Sequence, residues 1–300
     1  MDKEILKKLD ERLAKGEISE ELYKEIKARY EGEEEEEVED EEIEELEEEV
    51  EHEIKEERKE KKPEEKKQKR VSISGVSKID GCNCETFRAA GASKVNGDLR
   101  ADDADISGAT KVSGNAYLGR LDSSGSFKID GDTEAKSIDL SGATKFGGNV
   151  KADKIDSSGS TKFQGNVETK DFDGSGSFKA ESNITSDTFK ASGSFKIGGT
   201  LKAEEIQLNP AGSCKISKIE GGDIMVEAGS SGIFSFSFGG SGSLTCDEIS
   251  GNDIYLENTK CELVEGNKVK IGPGCKVDTV RAKKLKVHES ASVKNKEKIE

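Results

Sequence analysis

The chain has 300 residues, with 33 glycines, 3 prolines, no tryptophan and a formal net charge of −16. The charge is local: residues 31–57 hold 19 acidic residues and one lysine, a net of −18, against −16 for the whole chain, so the remainder sums to +2. This excludes treating the molecule as uniformly acidic. No apolar run approaches the about 20 residues of a membrane-spanning helix, and Met1–Leu9 lacks the apolar core of a secretory signal. The expected compartment is therefore the cytoplasm, with a peripheral position at the membrane as an alternative.

In chain order, residues 1–30 are expected to form a short α-helical arm. Leu6, Leu9 and Leu13 share one face at helical spacing, Gly16 ends that helix, and Ser19 opens a second carrying Leu22, Tyr23 and Ile26. The string Ile5-Leu6-Lys7-Lys8-Leu9 through Gly16-Glu17-Ile18-Ser19-Glu20-Glu21-Leu22-Tyr23-Lys24 resembles the helical-hairpin module called SHOCT. That resemblance implies oligomer formation; client proteins are a further expected partner of this arm, and the alternative is a helical cap with no partner. Residues 31–70 read as a charged connector, helical or disordered. Val38, Ile43, Leu46, Val50 and Ile54 make a narrow apolar seam, while the glutamates repel one another.

Residues 71–290 are governed by a repeat. Glycines at 91, 108, 125, 142, 159, 176 and 193 recur at one fixed interval, the signature of a solenoid. With the glycine as position 0, apolar or small residues fall at positions 2 and 4, 8 and 10, and 13 and 15. Each pair has the strand period of two. This pattern predicts an all-β fold, a three-sided β-helix with three short strands per turn of about 17 residues. Large and small residues alternate within layers, as a close-packed interior requires: Phe178 with Ala180, Phe146 with Thr144, and Phe172 with Gly174. The rungs Phe127/Ile129 and Phe195/Ile197 break that rule. The unit from Gly75 is one residue short, Gly229 to Gly242 is irregular, and the paired glycines at Gly147, Gly198, Gly221 and Gly239 are expected in turns. Residues 291–300 read as a charged tail.

The repeated units and the string Gly266-Asn267-Lys268-Val269-Lys270-Ile271-Gly272-Pro273-Gly274-Cys275-Lys276-Val277 resemble the bactofilins, polymer-forming cytoskeletal proteins. The resemblance implies a right-handed β-helix that self-assembles into a homopolymer without a nucleotide. The ends expected to carry assembly are Val71 and Ile73 on one side and Leu285 and Val287 on the other.

Catalysis is not expected. Triangular β-helices also occur in hexapeptide acyltransferases, but those have a longer turn, of about 18 residues, and use histidine. Here the only histidines are His52 and His288, and no phosphate-cradling loop, metal cluster or nucleophile elbow is present. The reading assigns no catalytic residue, metal, cofactor or small-molecule substrate. The six cysteines are expected to be small buried or surface thiols, since Cys82-x-Cys84 lacks zinc-site spacing.

The candidate binding feature is a column at position 3: Lys94, Lys111, Lys128, Lys145, Lys162, Lys179 and Lys196, with Lys78 before and Lys215 after. It has two readings. Lysines balanced by the position-14 aspartates (Asp105, Asp122, Asp139, Asp156, Asp173) keep the strands soluble. Alternatively, the column is a track for a polyanion such as nucleic acid, an acidic polymer or a lipid headgroup surface.

Overall fold

A computed structural model describes residues 67–227 and 242–299. The helical arm, residues 31–66 of the connector, and Gly239 lie outside these. The chain divides into units Met1–Glu65 and Lys66–Glu300, and the second is the one described.

This unit is a parallel β-solenoid of about 13 turns, with no helix among the described residues. The regular part alternates short and long strands: β1 (Gln68–Ile73), β2 (Val76–Ile79), β3 (Cys82–Ala89), β4 (Ala92–Val95), β5 (Leu99–Ile106), β6 (Ala109–Val112), β7 (Ala116–Ser123), β8 (Ser126–Ile129), β9 (Thr133–Leu140), β10 (Ala143–Phe146), β11 (Val150–Ser157), β12 (Ser160–Phe163), β13 (Val167–Gly174) and β14 (Ser177–Ala180). Five longer strands follow, running through the corners, and then a final shorter one: β15 (Ile184–Pro210), β16 (Ser213–Val226), β17 (Ser243–Leu256), β18 (Thr259–Ile271), β19 (Lys276–Val287) and β20 (Ser292–Lys298). Each strand pairs in parallel with its equivalent one turn away, as in Lys145↔Lys162 and Ile155↔Phe172. At about 4.8 Å per turn the coil is about 60 Å tall.

The inward pairs fall where the repeat predicts, but on two strands per turn rather than three. The short strand buries positions 2 and 4. The long strand buries 8, 10, 13 and 15, and bends where two consecutive residues, such as Asp102 and Asp103, both face out. The bend does not interrupt the ladder, so two sides of the coil form one strand.

Two features hold the other corners. At position 0, a Cβ on Gly108, Gly125, Gly142 or Gly159 would lie 2.0–2.1 Å from the carbonyl oxygen of the glycine one turn earlier, so any side chain would push the turns apart. At position 7, a ladder of Asp and Asn side chains climbs the corner. Oδ1 of Asp98, Asn115, Asp132, Asn149, Asn166 and Asn183 accepts from the backbone N–H of Asn115, Asp132, Asn149, Asn166, Asn183 and Thr200 respectively. Position 6 is glycine beneath most rungs, and a Cβ on Gly114 would sit 2.5 Å from the Asp98 oxygen. Where Ser182 replaces that glycine, the rung lengthens to 3.3 Å from the 2.7–2.9 Å of the others.

Columns of like residues fill the core. Phe146 stacks on Phe163 at 5.2 Å, Phe172 on Phe189 at 4.7 Å and Phe178 on Phe195 at 5.7 Å. A Cβ on Gly174 would meet the rings of Phe178 and Phe172 at 2.9 and 3.0 Å, so the missing side chain there is the space the rings occupy. The two rungs that break the within-layer rule are compensated elsewhere. Phe127 lies in register between Thr110 and Thr144, and its layer carries Thr133 and Ala135 on the next side. Phe195 is followed in register by Cys214: its amide donates to the Cys214 sulfur at 3.4 Å. Volume is balanced between turns as well as within them.

Four boundaries differ from the sequence expectation. Strand β1 begins at Gln68, so the last three residues of the expected connector already run in the sheet. The short unit at Gly75 loses its residue in the corner after β2, where Ile79↔Val95 is offset by 16 and Cys82↔Leu99 by 17, and Gly81 turns with φ +111°. Neither Gly198, which lies within β15, nor Gly221 is in a turn. Gly221 sits within β16, where a Cβ would strike Ile206 and Ile224 at 3.0 and 3.1 Å. The expected tail at 291–300 is largely strand: β20 pairs with β19 from Lys276↔Ser292 to Ala282↔Lys298. From Ile216 onward the first corner holds only two residues between inward positions, such as Ser217 and Lys218 before Ile219, so the position-7 ladder ends at Thr200.

Candidate functional site

The short strands present one side of the coil to solvent. Their outward residues are position 1, which is Ala or Ser from Ala92 to Ser194, and position 3, the lysine column. Successive pairings confirm the stacking: Lys78↔Lys94, Lys94↔Lys111, Lys111↔Lys128, Lys128↔Lys145, Lys145↔Lys162, Lys162↔Lys179, Lys179↔Lys196 and Lys196↔Lys215. The register carries on through Lys215↔Thr245, Thr245↔Lys260 and Lys260↔Lys276. Lys260 and Lys276 therefore belong to the same column. Sequence counting missed them because the segment before β17 and the shortened corners break the repeat interval. The available signal was the lysine between inward Thr259 and Cys261. A shallow groove of about 640 Å³ runs beside the column, floored by the small residues Ser126, Ala143, Ser160, Ser177 and Ser194, with the lysine stems as one wall.

The charge balance differs from the expectation. The column's ion pairs go to two acids at position 5, not to the position-14 aspartates. Asp130 lies 2.7 Å from both Lys111 and Lys128, and Glu181 lies 2.8 Å from Lys162 and 3.2 Å from Lys179. The hydrogen bond from Lys111, then that from Lys128, holds the Asp130 carboxyl below its ordinary range. The hydrogen bond from Lys162, supported by Lys179 and Gln164, lowers Glu181 to about 2. The aspartates stack on a different side, where Arg88 pairs with Asp105 at 3.8 Å and Arg120 with Asp122 at 3.2 Å. Among the described residues, Lys94, Lys145 and Lys196 have no ion-pair partner within 4.0 Å.

The candidate assembly residues lie at the two ends. Ile73 is buried and Val71 half-buried in β1. Among the described residues, strands β1 and β2 pair on one side only, with β3 and β4, and Val76 is 93% exposed. At the other end Leu285 and Val287 are half-buried against the core. Strand β20 covers β19 as far as Ala282, so among the described residues Lys283–Val287 has an open edge. Where β20 continues the inward columns it places Lys296 and Lys298 in register with Val280 and Ala282, so charge replaces apolar surface over that part of the cross-section.

All six cysteines are free and buried. Cys82 and Cys84 bring their sulfurs to 3.1 Å, and burial pushes the Cys82 thiol up to about 12, which disfavours the thiolate. His288 is exposed, its Nδ1 bonded to the Ser290 hydroxyl at 2.9 Å. Among the described residues no three metal-ligating side chains converge, and no helix is long and apolar enough to cross a membrane.

No family profile and no solved structure matches the chain. A segment of 59 residues is 39% identical to the uncharacterized protein YhbF of Bacillus subtilis (strain 168), covering 19% of this chain and 25% of that protein. The chain thus spans about a quarter of the length of the curated relative it matches.

Proposed function

We propose that the protein is a non-enzymatic structural scaffold that assembles end to end in the cytoplasm through the terminal turns of a three-sided, right-handed coil. The observation that carries this reading is the pair of open ends. Among the described residues, strands β1 and β2, and the Lys283–Val287 edge, each leave one row of backbone donors and acceptors without a strand partner, next to the apolar residues Val71, Ile73, Leu285 and Val287. Such edges favour pairing with another chain. The likeness of the repeat and of the Gly266–Val277 string to bactofilins supports the same reading, as does the oligomer formation implied by the likeness of the N-terminal arm to SHOCT; that arm is also where client proteins would dock. No nucleotide or other cofactor enters this function.

Analytical ultracentrifugation tests it. The full chain should form concentration-dependent end-to-end species, and removing residues 1–66, which spares every described strand, should preserve or increase them. Val287→Lys should reduce them if the C-terminal end is an interface, and Ile73→Lys should do so for the other end, with circular dichroism still β-rich. A chain that stays monomeric at high concentration would remove the basis for a scaffold.

A second reading is a non-polymerising rod that binds a polyanion, nucleic acid or membrane headgroups among them, through the lysine face. The lysines without ion-pair partners, and the continuation of the column through Lys260 and Lys276, favour it. Electron microscopy would separate the two: filaments favour the first, uniform short rods the second.

A further inference from the structure

The two carboxylates already on the lysine face show how it holds an anion. Asp130 and Glu181 each stand two residues after the lysine of their own turn, and each reaches both that lysine and the one a turn earlier, at 2.7–3.2 Å. One step of the column is therefore the bite of one carboxylate. At the equivalent places beside Lys145 and Lys196 stand Gly147 and Gly198, which contribute no side chain. The other places without an acid hold Asn96, Ser113, Gln164 or Ser217, so the steps between Lys128 and Lys145 and between Lys179 and Lys196 are the two seats with no side chain at all; in each, Lys128 or Lys179 is shared with the neighbouring acid, and Lys145 or Lys196 supplies a charge unpaired among the described residues.

We propose that these two seats bind carboxylates of an extended acidic peptide segment from a partner protein, lying along the rod axis. The seats are three turns apart, through Phe146↔Phe163, Phe163↔Ala180 and Ala180↔Ile197. Three strand spacings are about 14 Å, and four residues of extended chain also span about 14 Å. An even separation directs both side chains to the same face of the peptide. The recognised pattern is thus two acidic residues four apart. The residue midway between them arrives near Gln164 and the occupied Glu181 seat, so it must not be acidic. Charge complementarity selects an anion, and two further observations select a peptide. From Lys94 to Lys196 this face carries no aromatic ring on which a base could stack. It also has only Ala and Ser at the other outward position, nothing that would insert into a lipid interface.

The surface lies along the side of the rod, so the inference stands or falls apart from end-to-end assembly. The test uses the full chain and fluorescence anisotropy with a labelled ten-residue Ser/Thr peptide bearing two glutamates four apart, and an isomer with them two apart. The four-apart peptide should bind about tenfold more tightly, the difference expected from one charge-assisted contact, and the affinity should fall with salt. Lys145→Gln with Lys196→Gln should weaken it by about tenfold or more and remove the spacing preference. Lys151→Gln with Lys202→Gln, the same distance apart on another side, should leave it unchanged. Urea melts identical to wild type establish that each variant is folded. Equal binding of both isomers, binding untouched by the Lys145/Lys196 pair, or equally tight and equally lysine-dependent binding of a single-stranded oligonucleotide or anionic phospholipid vesicles would overturn the assignment.

Discussion

Phe172 is the centre of the aromatic core, and Phe172→Ala is the sharpest test of how that core is built. The ring is 1% exposed and lies 4.7 Å from Phe189, 5.2 Å from Phe178 and 6.1 Å from Phe163. Truncating a buried Phe costs about 3–5 kcal/mol from lost transfer energy and the cavity left behind. Each stacked or edge-on ring pair adds about 0.5–1.5 kcal/mol beyond area burial. Relaxation into the hole is limited, because Gly174 has no side chain to move in and the flanking rings are held by their own strands. The cost should therefore sit at or above the top of that range, about 5 kcal/mol. Phe127→Ala is the control: equally buried at 1%, but standing between Thr110 and Thr144 in its column, it should cost about 3 kcal/mol. Urea denaturation by circular dichroism reads both as shifts in midpoint at unchanged slope. If Phe127→Ala proves as costly as Phe172→Ala, ring stacking contributes nothing measurable and the column argument fails.

Asn149→Ala removes the acceptor for the Asn166 amide at 2.9 Å and should cost about 1 kcal/mol or less, since water reaches that exposed corner, whereas Asn149→Asp keeps the oxygen and should be nearly neutral by the same melts. The Glu181 pKa is lowered from 4.5 to about 2, so its stabilising contribution is complete above about 4.5 and is lost as pH falls toward 2; carbon NMR should show it titrating well below the other glutamates, and Lys162→Met should move it back up. Phe163→Asp places an unpaired charge in a fully buried column and should cost several kcal/mol, while Lys162→Ala next to it should cost about 0.5 kcal/mol; equal losses in melting temperature would refute the inward and outward assignment.

The coil was legible in the chain before any coordinates. Period-two apolar pairs and glycines at one fixed interval can satisfy a buried interior only if each turn stacks in register on the last, so the inward set Val95, Leu99, Ile106 and their equivalents could be read directly. The outward lysine column followed from the same alternation. Whatever depends on contacts between turns had to wait for the folded chain. The two-residue bend at Asp102 and Asp103 joins two sides into one strand, because backbone pairing continues across it and side-chain periodicity does not report that. The Asp/Asn ladder was invisible because its acceptors and donors are a full turn apart in sequence and meet only once the turns are stacked. Lys260 and Lys276 rejoin the column because strand register, not sequence spacing, sets what lies above what when corners shorten. The partners of the lysines, Asp130 and Glu181, could not be chosen from composition, since an acid on the same face two residues away wins over more numerous aspartates on another side. Residues 291–300 read as a charged tail, yet β19 offers them backbone hydrogen bonds that no side-chain pattern encodes, and most of them join the sheet as β20.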